Sequence, residues 1–185
     1  MSLTPSNMLA LGTLAPHFNL LDTISDNYVD LQEVKGEKGT VIMFICNHCP
    51  FVVHVNSELV STANYYSEKG VKFIAISSND SLTYPQDGPS KMKTHANEVG
   101  YPFPYLYDES QKVAKAYDAA CTPDLYVFDN ELRLVYRGQL DDSRPGNGLP
   151  VTGNDLKYAL DCLLNNKENL TTQKPSIGCN IKWKV

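Results

Sequence analysis

The run Thr40-Val-Ile-Met-Phe-Ile45 is apolar, rich in β-formers and free of polar interruption, the pattern of a central parallel strand covered on both faces. Apolar positions then recur at Val52, Val55, Leu59, Ala63 and Tyr66, three or four residues apart. That spacing predicts a helix over Pro50–Glu68, with Gly70 as its stop. Val71–Ser77 is a second strand, followed by a polar loop carrying Pro85, Gly88 and Pro89. A further helix is expected at about Ser90–Val99, ending at Gly100. Tyr101–Tyr107 reads as extended and proline-interrupted, and Ser110–Tyr117 as a short helix. Asp124–Phe128 and Leu132–Arg137 flank Asp129-Asn130-Glu131 and predict a hairpin. The last helix is Gly153–Leu164, with Leu156, Ala159, Leu160 and Leu163 on one face. Ahead of these elements, Ala15–Leu20 alternates within an irregular entry, and Gly36-Glu37-Lys38-Gly39 is a turn. Behind them, Asn165–Val185 is a polar tail. An early βαβ order with a late hairpin calls for an α/β fold: a mixed sheet with helices on both faces.

At 185 residues and 42% hydrophobic content, the chain suits a single domain, with its core at about 15–164 and a tail at 165–185. The formal net charge is −5 and no basic stripe occurs, so nucleic acid is not an expected partner. No apolar run approaches the roughly 20 residues of a membrane helix. The opening Met1–Asn7 has neither a positive start nor an apolar stretch, so the expectation is a protein without a leader, in the cytoplasm. The five cysteines are Cys46, Cys49, Cys121, Cys162 and Cys179, an odd number with one close pair. In a reducing compartment such a pair carries chemistry or metal rather than architecture.

Cys46-Asn47-His48-Cys49 closes the first strand and opens the first long helix. Unpaired N–H groups at a helix start carry partial positive charge. They would stabilise a Cys46 thiolate and lower its pKa from the free value of about 8.5. Cys49, one turn on, is close enough to form or resolve a disulfide. A protonated His48 would favour the thiolate further; it could equally face solvent. The competing reading is a metal-binding module, in which Cys46, Cys49 and a histidine hold copper or zinc. No second CxxC or HxxxH supports that reading, and no cofactor is expected.

These residues resemble a thioredoxin-fold redoxin of the peroxiredoxin-like, AhpC/TSA-like group. Three stretches carry the resemblance: Ala15–Leu20, Phe44–Pro50 and Cys121-Thr-Pro-Asp-Leu-Tyr-Val-Phe-Asp129. The resemblance implies a thiol–disulfide oxidoreductase acting on protein or small-molecule disulfides and dithiols, with Cys46 attacking and Cys49 resolving. It also implies that Pro123 is a cis-proline, so that Thr122 and Pro123 face the pair and offer main-chain groups to an extended substrate. The alternative is a thiol peroxidase acting on hydroperoxides through a sulfenic acid. The peroxidase pattern, however, has proline and threonine or serine where this chain has Ile42 and Cys46. Arg137 reads as structural rather than peroxide-polarising. Cys121 is an auxiliary thiol or a small buried hydrophobe, and Cys162 a buried inert thiol. Cys179 either resolves or anchors the tail, with anchoring preferred. The Arg137–Gly148 segment borders a substrate groove or forms a network of ion pairs.

Overall fold

The computed structural model describes residues 3–185; Met1 and Ser2, the start of the stretch read for a leader, lie outside them. The central strand is β4 (Gly39–Phe44), buried at all six positions. On one side it pairs in parallel with β5 (Val71–Ser77), on the other antiparallel with β8 (Asp124–Asp129). β5 continues to β6 (Tyr105–Tyr107), and β8 to β9 (Leu134–Gly138). Two entry strands, β2 (Asn19–Asp22) and β3 (Tyr28–Asp30), complete a seven-stranded mixed sheet in the order β3-β2-β6-β5-β4-β8-β9.

Alternation along β4 divides the core. Val41, Met43 and Ile45 face one side, where they pack with Val52, Val55 and Leu59 of α2 (Pro50–Ser67), Met92 of α3 (Pro89–Val99) and Leu160 of α5 (Asn154–Leu164). Ile42 and Phe44 face the other, against Leu31 of α1 (Leu31–Val34) and Val113, Ala114 and Tyr117 around α4 (Lys112–Ala116). Each fully buried aliphatic or aromatic side chain here contributes about 1.5–3 kcal/mol relative to exposure.

The expected α/β architecture is therefore present, and α2 ends within a residue of its predicted limit. Two regions differ. The irregular entry holds three short strands and a helical turn. The polar tail is not all tail: Ile177–Asn180 forms β10, the centre of a second sheet with β1 (Leu3–Pro5) and β7 (Cys121–Thr122). Short pairings of this kind leave no periodicity in the sequence, because few side chains per strand face the core.

Candidate active site

Pro50 occupies the first position of α2, so Cys49 is its N-cap; the Cys49 carbonyl accepts from the amides of Val52 and Val53. Cys46 lies ahead of the helix, on the segment that leaves β4. This corrects the expectation that Cys46 sits at the helix start. Proline's preference for the first helical position was the available signal, since it makes the preceding residue the cap.

Both cysteines are thiols, and both are buried: Cys46 is 2% exposed and Cys49 is fully enclosed. They hydrogen-bond each other, and Thr122 lies between them. Its hydroxyl is 3.6 Å from Cys46 Sγ, and as a thiol Cys49 donates to its carbonyl oxygen at 3.2 Å. The Thr122–Pro123 bond is cis, as the resemblance implied.

Two adjacent sulfurs cannot easily both ionise, so the first proton leaves readily and the second is retained. The Cys46 thiol is held up, first by donating to Cys49, then by burial and by the Asp87 charge. The Cys49 thiol is held down by that same hydrogen bond, against the cost of burial, and further by the Thr122 hydroxyl and the Cys179 thiol and amide. These contacts raise the Cys46 thiol and lower that of Cys49, which has more donors, the opposite direction from the one expected.

Asp87 is the residue that sequence reading missed. It is fully buried in a 3₁₀ turn at Pro85–Asp87, and it accepts from the Asn47 amide at 3.0 Å and the Asn79 amide side chain at 2.8 Å. His48 Nδ1 lies 2.6 Å from Asp87 Oδ2, the oxygen that also accepts from Asn79, and the His48 ring stacks on Tyr84. Ligand atoms of Cys46, His48 and Asp87 lie within 4.8 Å of one another. His48 is therefore near the pair, but a carboxylate accompanies it and offsets the positive charge it would bring. Nothing local marks Asp87 in the sequence; chain folding brings it across 40 residues to Asn47.

The remaining candidates separate clearly. Cys121, on β7, points its thiol toward the Pro123 carbonyl at 3.7 Å, and burial followed by the Asp124 charge holds its pKa well up. Cys162 is buried on α5. The Arg137 guanidinium donates to Gln173 Oε1 at 2.7 Å, a contact with the C-terminal segment. In the Arg137–Gly148 segment, Gln139 binds Asp142 and Asp155, while Arg144 binds the carbonyls of Asp141 and Ser143. Its residues Leu140, Ser143 and Arg144 approach Pro123, leaving almost no free volume. The open space beside the pair is instead a groove of about 410 Å³ lined by His48, Tyr84, Gln86, Asn180 and Lys182.

Residues 11–137 match the model of the AhpC/TSA family, more than half of the chain. The chain belongs to the AhpC/TSA family. Thiol-disulfide oxidoreductase ResA of Bacillus thuringiensis (strain Al Hakam) is 26% identical over 130 residues, covering 69% of this chain and 68% of that one. A conserved protein from Geobacillus kaustophilus, known from its crystal structure, is 62% identical with a TM-score of 0.98, over 100% of this chain and 97% of the other. The thioredoxin domain of a thiol-disulfide oxidoreductase from Bacteroides vulgatus is 22% identical with a TM-score of 0.62, over 72% and 91%. The fold is thioredoxin-like.

Proposed function

We propose that the protein is a thiol–disulfide oxidoreductase whose redox pair is Cys46 and Cys49. The observation that carries this reading is that Thr122, beside the cis-proline, contacts both sulfurs, 3.6 Å from Cys46 Sγ through its hydroxyl and 3.2 Å from Cys49 Sγ through its carbonyl oxygen. A dithiol that shares one proton has a nucleophile and its base in contact. As a substrate disulfide approaches Cys46, its proton passes to Cys49 and the Cys46 thiolate attacks. The departing substrate sulfur leaves as a thiolate. Cys49, losing that proton, then attacks Cys46 Sγ of the mixed disulfide, which releases the second substrate sulfur and closes the Cys46–Cys49 bond. The reverse sequence oxidises a dithiol.

Equilibration in glutathione buffers of graded potential, with acid quenching and mass mapping, tests this. Cys46 and Cys49 should lose two hydrogens together in one transition, and Cys46→Ser should abolish disulfide-reductase activity. A pair that stays dithiol across the whole series, or a Cys46→Ser protein that keeps its rate, overturns the reading. Hydroperoxide turnover should be slow, since Cys46 replaces the peroxide-binding hydroxyl. Stopped-flow oxidation by hydrogen peroxide checks this, and a rate matching that of dedicated peroxidases would favour the peroxidase reading instead.

A further inference from the structure

The edge of Thr122 is already occupied. An extended substrate would bind there by adding a strand to β7, but β10 of the same chain holds that position. It runs antiparallel, with Cys179 directly opposite Thr122 and Asn180 opposite Cys121. β1 covers the far side of β10, pairing Leu3 with Cys179 and Pro5 with Ile177. The approach is close: a Cβ on Gly178 would lie 1.9 Å from the Thr122 carbonyl oxygen. This same Thr122 accepts from Cys49 through its carbonyl. Residues directly opposite in an antiparallel pair have Cα atoms about 4.5–5.5 Å apart. Cys179 is therefore held one strand away from the residue that Cys49 touches, and its thiol and amide both hydrogen-bond Cys49 Sγ.

We infer that Cys179 is a third redox thiol, which takes over Cys49 in a Cys49–Cys179 disulfide and releases Cys46. The inference rests on the Cys46–Cys49 redox reading and extends it. The Cys179 sulfur attacks Cys49 Sγ of the Cys46–Cys49 bond, and Cys46 leaves. One S–S bond forms as one breaks, and the proton given up by Cys179 ends on Cys46. The step is an internal exchange and needs no outside electron acceptor. While Cys49 is a thiol, burial and after it the hydrogen bond to Cys49 push the Cys179 thiol up to about 12. Its products are a free Cys46 able to meet a second substrate and a β10 strand tied covalently to the start of α2. Cys121, on the other side of the same pairing, directs its thiol to the Pro123 carbonyl instead.

The test is limited oxidation of the full chain with diamide, acid quenching, alkylation and non-reducing tryptic mapping. Cys46 and Cys49 share the peptide Gly39–Lys69, and Cys179 falls in Glu168–Lys182. The expected product, growing with time, is a cross-link between these two peptides in which Cys46 carries the alkyl group. Cys179→Ala should remove the cross-link and keep the Cys46–Cys49 disulfide. In Cys46→Ser, oxidation should lower the free thiols in denaturant from four to two, and adding Cys121→Ser should leave the Cys49–Cys179 bond intact. An oxidised wild type whose only disulfide is Cys46–Cys49, with Cys179 fully alkylated throughout, overturns the inference, as does a Cys49–Cys121 bond in its place. Failure of the parent reading looks different: no disulfide forms at Cys46 or Cys49 at all.

Discussion

Asp87 sets the charge around Cys46 without being one of the reacting groups. The hydrogen bond to Cys49 and burial hold the Cys46 thiol up, and the Asp87 charge adds to them. Asp87→Asn should therefore lower the Cys46 pKa, so that alkylation of Cys46 at fixed mild pH becomes faster. The pH profile of iodoacetamide labelling, read by peptide mass, checks the direction. The same change leaves the Asn47 amide, the Asn79 side chain and His48 sharing a weaker acceptor, at a cost of about 1–3 kcal/mol. Asp124, which follows the cis-proline, makes a pH prediction. Burial raises its carboxyl to about 7, opposed by hydrogen bonds from Tyr126 and two backbone amides. Below about pH 4 the group is protonated in folded and unfolded chains alike, and its contribution to stability is fully present. Between about 4 and 7 the unfolded chain releases the proton while the folded chain retains it. Stability therefore falls as pH rises through that window and levels off above it. Asp124→Asn should flatten the slope and gain on the order of 2 kcal/mol at pH 8, measured by urea denaturation across the range.

Between the elements, the contact that decides most is β7 against β10. It places the chain's own C-terminal strand beside Thr122 and Cys49, in the position an added strand would take. Gly178 permits the contact because a Cβ there would collide with the Thr122 carbonyl oxygen and carbon, which are backbone atoms that cannot rotate away. Gly178→Ala should separate the two strands, cost about 1–3 kcal/mol and speed alkylation of Cys46 and Cys49. Unchanged labelling rates would mean that β10 does not shield the pair. At the other end of the site, Pro50 and the Cys49 cap fix the first turn of α2, and its buried face carries the helix onto β4 and β5.

The whole molecule holds the site between two cores divided by one sheet. Leu59 stands in the first of these, fully buried on α2. Leu59→Ala should cost about 2–5 kcal/mol through lost transfer energy and the cavity left behind. The urea midpoint should fall with the slope unchanged. Family membership and thioredoxin-like architecture agree with this frame. The chemistry proposed for it is concentrated where β4 ends, α2 begins and β7 meets β10.

What the sequence by itself determined is what repeats locally. The apolar run of β4 and the three-and-four spacing of α2 encode their burial within a few residues, and the four residues from Cys46 to Cys49 read directly as a redox pair. Pro50 even carried the position of the helix cap, although the pattern of apolar residues drew attention to Cys46. Only the tertiary structure decided what stands around the pair. Asp87 reaches Asn47 through folding of the chain, β10 has only four residues, whose burial repeats nothing, and Cys179 meets Cys49 across more than a hundred residues of intervening chain. Contacts of that range are set by how sheets and loops close in three dimensions. The ionisation order of two touching thiols follows from those contacts, because it depends on which sulfur collects more hydrogen-bond donors.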